Sequence, residues 1–243
     1  GAALEGASRG HKTLLLEKSD FAQGTSSKST KLIHGGVRYL KQGSLRLVFQ
    51  ALKERGILLK NAPHLVHKMS FIIPIYSWWN LLFYGVGLIC YDLLAGNKRI
   101  ESTTILSRKK TQTLLPNLKD DHLVGGIAYW DAQFNDARLA INLARSAVAY
   151  GATVINYCSV SSLLKKKGEI CGVIAKDHIS GKEYKIDAKV VLNATGVFSN
   201  HIRQMDQPDI KSNIIPSQGT HIVLDRKFML GNHAILIPKT SDG

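Results

Sequence analysis

Residues 24–40 read Gly24-Thr25-Ser26-Ser27-Lys28-Ser29-Thr30-Lys31-Leu32-Ile33-His34-Gly35-Gly36-Val37-Arg38-Tyr39-Leu40. They follow a short apolar run, Thr13-Leu14-Leu15-Leu16, that predicts a strand ending in an acid, Glu17. A carboxylate at a strand end accepts hydrogen bonds from the adjacent hydroxyls of a ribose. The hydroxyls and backbone N–H groups of Thr25, Ser26 and Ser27 offer a small anion cradle ahead of a helical run. At Gly35-Gly36 no Cβ intervenes, so the backbone can come close to a large planar group. Serine-rich turns and strand-end acids are each common. Their combination with Lys31-Leu32-Ile33-His34-Gly35-Gly36 in one short span is specific.

A dinucleotide-binding unit opens with a strand, a glycine fingerprint and a helix, and its ribose acid follows about 20 residues after the fingerprint. Residues 1–10, rich in Ala and Gly, read as the remainder of such a helix. Glu17 lies so near Gly1 that the expectation is a fragment of a longer protein, one that binds its cofactor poorly by itself. The alternative is a small domain that starts with a helix.

Apolar residues at Leu45, Val48, Leu52 and Leu59 predict a helix closed by Pro63. Residues 71–75 read as a strand whose Pro74 suits an edge or a strand end. The apolar run within residues 78–95 is shorter than the roughly 20 residues a bilayer demands. It predicts a buried or interfacial helix, with the core preferred and Trp78-Trp79 keeping a membrane surface in play. Asp136 reads as the cap of a helix that runs to Tyr150 and stops at Gly151. Strands are expected at 153–157, 170–176, 184–186 and 189–194, with turns at Gly168 and Ser180-Gly181. The alternation favours an α/β fold with an α+β second domain. Residues 1–60 and 128–199 would form a cofactor-binding domain, and 61–127 and 200–243 a second domain with antiparallel strands.

The hydrophobic content of 44% supports a real core, and a charged content of 21% argues against disorder. The net charge of +14 would suit anionic membranes, phosphorylated metabolites or nucleic acid. Its Lys and Arg residues are scattered, and no basic motif interleaved with aromatics accompanies them, so nucleic acid is not expected. Cys90, Cys158 and Cys171 lack metal-ligand spacing and read as buried thiols. No metal site is expected.

Asn193-Ala194-Thr195-Gly196 closes an apolar run with a glycine turn, where a doubly wound sheet places ligands. Arg38 would serve a phosphate or carboxylate through its planar fork, or else pack on its aliphatic stem as an exposed helix residue. His221 sits in Gly219-Thr220-His221-Ile222-Val223-Leu224, which reads as a strand with alternating faces. His34 reads as shaping a pocket rather than moving a proton. Asp136 and Arg138 are most simply a helix cap and an ion pair.

Over nearly its whole length the chain resembles the FAD-dependent glycerol-3-phosphate dehydrogenases. The likeness rests on residues 24–40, Ala62-Pro63-His64-Leu65, Tyr91-Asp92-Leu93, residues 135–139, Asn193–Gly196 and residues 219–223. Trp78-Trp79 and Tyr91-Asp92-Leu93-Leu94-Ala95-Gly96 resemble the mitochondrial type most. The resemblance implies a glutathione-reductase-like FAD-binding domain interleaved with a substrate domain capped by an antiparallel sheet. It implies oxidation of sn-glycerol 3-phosphate to dihydroxyacetone phosphate by hydride transfer to flavin N5, with electrons passed to a membrane quinone. It also implies peripheral association with the mitochondrial inner membrane or a bacterial cytoplasmic membrane, and leaves a homodimer open.

Residue by residue, the resemblance makes Glu17 the ribose acid. It makes Thr25, Ser26, Ser27, Lys31, Leu32, His34, Gly35 and Gly36 flavin contacts, with Ala194, Thr195 and Gly196 as a second contact. It places Arg38, Tyr39 and His221 in the substrate pocket, with His221 the candidate base. The rival readings are an FAD-dependent amine or amino-acid oxidase of related fold and a non-catalytic basic protein that binds membranes or nucleic acid.

Overall fold

In a computed structural model, which describes residues 1–36, 39 and 43–238, the elements follow in chain order. They are α1 (Ala2–Ser8), β1 (Leu14–Leu16), β2 (Leu32–Ile33), α2 (Leu45–Asn61), β3 (Val66–Ile75), α3 (Trp78–Ala95), β4 (Thr104–Ser107), α4 (Arg108–Leu114) and β5 (Gly125–Phe134). After them come α5 (Asp136–Ala149), β6 (Thr153–Ile155), β7 (Cys158–Lys166), β8 (Glu169–Asp177), β9 (Glu183–Asp187), α6 (Ser199–Asp206) and β10 (Ala234–Ile235). Contacts divide the chain into two units, residues 1–28 with 136–221 and residues 29–135 with 222–243.

In the first unit, β1 and β6 pair in parallel, Leu14 opposite Thr153 and Leu16 opposite Ile155. Small side chains let the flanking helices come close: Ala7 of α1, Ala147 of α5 and Ala152 form one buried cluster. Strands β7, β8 and β9 make an antiparallel meander. Its first turn carries Lys167 at φ +53° and Gly168 at φ +85°. Two successive residues with positive φ fit the right-handed twist of a tight hairpin.

The second unit is built on β3 and β5, paired antiparallel from Val66 opposite Phe134 to Ile75 opposite Gly125. The far edge of β5 takes β4 along residues 125–128 and β2 along 132–133, while β10 pairs in parallel with β3. Alternation along β3 sends its two faces to different layers. Phe71, Ile73 and Ile75 join Leu88 of α3 with Ile127 and Tyr129, whereas Ile72 joins Leu106 and Leu115 on the other side. Phe71 and Tyr129 stack at 5.3 Å between ring centroids.

Several expectations need correction. Residues 189–194 form no strand: Val190 is 81% and Leu192 69% exposed, and no described strand runs beside them to complete a ladder. Residues 219–224 likewise form no strand and have no ladder partner among the described strands, and His221 is exposed. Strand β7 was not expected at all. Its core-facing residues alternate poorly because the register shifts between Val160 and Ser162. The units also part at Lys28 and Asn135 rather than near residues 60 and 127. Pairing of β2 with β5, and packing of α2 on α3, bind residues 29–60 and 128–135 into the second unit.

The helix at residues 78–95 is not chiefly a core helix. Gly85, Leu88, Tyr91, Asp92 and Ala95 are buried on one side, while Trp78, Trp79, Leu82, Phe83 and Leu93 are exposed on the other. By length and composition alone the segment Trp78–Lys98 would cross a membrane, yet its inner side belongs to the second unit's core. Cys90 lies exposed on this helix rather than buried, and Cys171 is half-buried. Cys158 is the one of the three that fits the expectation of a buried thiol.

Candidate functional site

In the first unit, Glu17 stands directly after β1, its backbone still tied to the sheet: its N–H donates to the Ile155 carbonyl (2.8 Å), and its carbonyl accepts from Cys158 N–H (2.8 Å). The half-buried carboxylate accepts the Ser19 N–H at 3.0 Å, which holds it at the carboxyl end of a parallel strand pair. Ligands of α/β sheets sit at such ends. Residues Gly24–Ser27 form a single 3₁₀ turn against α5, opened by Gly24 at φ +64°. Thr25 and Ser26 are exposed, and Ser27 is half-buried.

The 194–196 turn is organised by Asn193. Its Oδ1 accepts from Thr195 Oγ1 at 2.8 Å and Thr195 N–H at 3.3 Å, and its amide donates to the Ser199 carbonyl at 2.9 Å. Gly196 adopts φ +57° with open space where a Cβ would stand, so backbone conformation, not crowding, asks for glycine there. The Lys18 ammonium lies 5.9 Å from the Phe198 ring. That contact brings the end of β1 and the 194–198 turn together, two segments expected to touch one cofactor. His221 also belongs to this unit, exposed.

In the second unit, Lys31 takes the left-handed conformation (φ +57°) and its carbonyl accepts from Phe134 N–H, so Leu32-Ile33 enters the ladder beside β5. His34 is exposed, and Gly35 and Gly36 are buried. A Cβ on Gly35 would overlap the Tyr91 hydroxyl and stand 2.5 Å from Leu52 Cδ2. The glycine requirement at 35 is therefore met inside the protein, by α2 and α3. Gly36 turns at φ +76°, and a Cβ there would come 2.6 Å from the Tyr39 ring. Tyr39 N–H donates to the Gly36 carbonyl at 2.8 Å, and the residue is 43% exposed. Arg38 lies outside the described residues.

Beneath this loop is a group the sequence reading did not single out. Arg55, Tyr91 and Asp131 are each 1% exposed. Arg55 Nη1 is 2.5 Å from Asp131 Oδ1 and donates to the Trp130 carbonyl at 3.1 Å. The Tyr91 hydroxyl donates to Asp131 at 3.0 Å and accepts the Gly35 N–H at 2.7 Å. Burial raises the Tyr91 hydroxyl far above the usual phenol range, and the Asp131 charge adds to the shift. Burial also raises Asp131, against the opposing pull of Arg55 and the hydrogen bonds it accepts. Arg55 Nε is buried without a partner, which shows how tightly the guanidinium is enclosed. A signal was available in the sequence: Arg55 falls seven residues after Val48 and three after Leu52, on the same apolar helix face.

The family described as FAD dependent oxidoreductase (DAO) matches residues 1–242. Across 100% of this chain and 35% of its own length, the mitochondrial glycerol-3-phosphate dehydrogenase of Rattus norvegicus is 44% identical. Among solved structures, the glycerol-3-phosphate dehydrogenase of Bacillus halodurans complexed with FAD superimposes at TM-score 0.65 with 33% identity, covering 84% of this chain and 33% of that one. The L-proline dehydrogenase of P. horikoshii reaches the same TM-score at 19% identity over 86% of this chain and 53% of its own, a likeness of fold alone. The chain thus spans about a third of the length of the curated relatives it matches.

Proposed function

This chain belongs to the FAD dependent oxidoreductase family, and on that premise we propose that it forms part of a glycerol-3-phosphate dehydrogenase that oxidises sn-glycerol 3-phosphate to dihydroxyacetone phosphate. The observation that carries the reading is 44% identity to the rat enzyme along the entire chain.

FAD is the cofactor, and the residues present fit it. Glu17 offers a carboxylate at the end of a parallel pair, and Thr25 and Ser26 offer exposed hydroxyls in a single 3₁₀ turn. Thr195-Gly196 adds a second turn that the Lys18–Phe198 contact ties to the end of β1. Glu17 would hold the ribose; Thr25, Ser26, Ser27 and Ala194-Thr195-Gly196 would hold the phosphates and neighbouring atoms. Lys31, Leu32, His34, Gly35 and Gly36 would frame the ring system. When bound, FAD supplies the acceptor for the hydride that leaves substrate C2.

The chain's own residues supply binding and proton transfer. Arg38 would clamp the substrate phosphate, because a planar guanidinium gives two charge-assisted bonds to one oxyanion. Tyr39, exposed beside the Gly36 turn, would line the substrate pocket. His221 would take the C2 hydroxyl proton, an effect worth about 10²–10⁴-fold in rate.

The exposed side of α3, with its paired indoles and aliphatic side chains, supports peripheral association with a membrane, since indoles favour the headgroup region. The net charge of +14 suits an anionic lipid surface. A quinone in that membrane would accept the electrons, and the mitochondrial names of the relatives support a mitochondrial location. The deciding experiment is stopped-flow absorbance of the purified flavoprotein mixed with glycerol 3-phosphate. Bleaching of the flavin band is expected, slowed about 10²-fold or more in His221→Ala at unchanged FAD content. A flavin left oxidised by glycerol 3-phosphate would refute the substrate.

A further inference from the structure

We infer that Tyr91, set in place by Asp131 and Arg55, is a positioning residue whose buried hydroxyl holds the Gly35 amide and so fixes the Gly35-Gly36 backbone on which the flavin ring lies. The inference rests on the proposed flavin role of that loop.

The direction of each bond follows from counting protons. A phenol has one proton to give, and Tyr91 spends it on the Asp131 carboxylate, 3.0 Å from each oxygen. The hydroxyl can then only accept from Gly35 N–H, at 2.7 Å. Asp131 Oδ1 stands 3.3 Å from the same N–H, so the amide is aimed at a phenol oxygen and a carboxylate together. Arg55 closes the network. Its Nη1 binds Asp131 and the Trp130 carbonyl, and the guanidinium lies 5.7 Å from the Tyr91 ring centroid.

A buried main-chain N–H needs a partner, and a side-chain network that supplies one fixes the backbone at that point. This one reaches across 56 residues to a main-chain N–H in a loop outside the sheet and helices. In a low-dielectric interior such a bond is strong and directional. Packing agrees with it, because Leu52 and Tyr91 leave no room for a Cβ on Gly35. Immediately beyond the held amide come the positive φ of Gly36 and the exposed Tyr39. Whatever fixes Gly35 therefore fixes the start of the segment read as the flavin and substrate wall.

The test is Tyr91→Phe in the flavin-loaded protein, a change that removes one oxygen and keeps the ring packing. About tenfold weaker FAD binding is expected, together with a shifted visible flavin spectrum. At saturating glycerol 3-phosphate, single-turnover flavin reduction should slow about tenfold while KM changes less than about twofold. In the apoprotein, amide exchange in residues 32–36 should accelerate about tenfold or more. Arg55→Lys, which keeps a cation beside Asp131, should fall between wild type and Tyr91→Phe in each readout.

Unchanged FAD affinity, spectrum and reduction rate in Tyr91→Phe would overturn the inference, even if its melting temperature fell, since that pattern marks a structural role only. Full-length wild-type protein that bound no FAD would overturn the flavin reading of the loop and this inference with it. Wild-type FAD left oxidised by glycerol 3-phosphate would refute the substrate alone. Affinity, spectrum and exchange would still decide the role of Tyr91.

Discussion

Arg55→Ala should be among the most damaging single substitutions in this chain. Arg55 and Asp131 are both 2% exposed at their side chains, so removing the cation strands a carboxylate in the core. Breaking a buried pair in this way costs about 3–5 kcal/mol, mostly through the unpaired charge left behind. Arg55→Met with Asp131→Leu removes both charges, leaving the loss of the acceptor for the Tyr91 hydroxyl, about 1–3 kcal/mol. The double variant is therefore expected to be more stable than Arg55→Ala. The assay is urea unfolding followed by tryptophan fluorescence, which suits the question because Trp78, Trp79 and Trp130 all lie in the second unit.

The pH dependence supplies an independent arm. Burial already raises Asp131, and Arg55 is the chief influence lowering it. In Arg55→Ala the folded carboxyl rises further, so the folded state binds more protons than the unfolded state from about pH 3.8 up to that higher value. Stability must then fall as pH rises through this window, more steeply in Arg55→Ala than in wild type. A cost below about 1 kcal/mol for Arg55→Ala, with a pH slope like the wild type's, would refute the reasoning.

Gly35→Ala should destabilise by about 1–3 kcal/mol in calorimetry through overlap with Tyr91 and Leu52. Combined with Leu52→Ala, it should cost less than the sum of the two single changes. Trp79→Lys with Leu82→Lys, both on the exposed side of α3, should leave the melting temperature within a few degrees of wild type and abolish sedimentation with phosphatidylcholine vesicles. The Ser180 hydroxyl and then the Ile179 N–H hold the Asp177 carboxyl below 3.8. The stability it contributes is present above about pH 3.8 and is lost as pH falls through the folded value. In an NMR titration, Ser180→Ala should move that value up toward 3.8.

Some features of this fold are written locally in the sequence because their causes are local. Helix α3 spans Trp78–Ala95 as the apolar run implied, Gly151 stops α5 with φ +89°, and Lys167-Gly168 makes the hairpin turn. Glycine freedom, turn chemistry and apolar spacing each act within about one helical turn of chain, so the residues themselves carry the answer. The turns at Gly24 (φ +64°) and Gly36 (φ +76°) were legible for the same reason.

What the tertiary structure decided needed partners distant in sequence. An apolar string at residues 189–194 looked like a strand, yet a strand exists only where a neighbour completes its ladder. Helix α3 could be recognised from its composition, but which side it exposes depends on β3, β5 and α2. The spacing of Arg55 from Val48 and Leu52 puts it on the apolar face of α2 but names no partner for its charge. Its burial follows from Asp131, 76 residues away, because a charge enters a low-dielectric core only where a counter-charge and hydrogen-bond acceptors already wait for it.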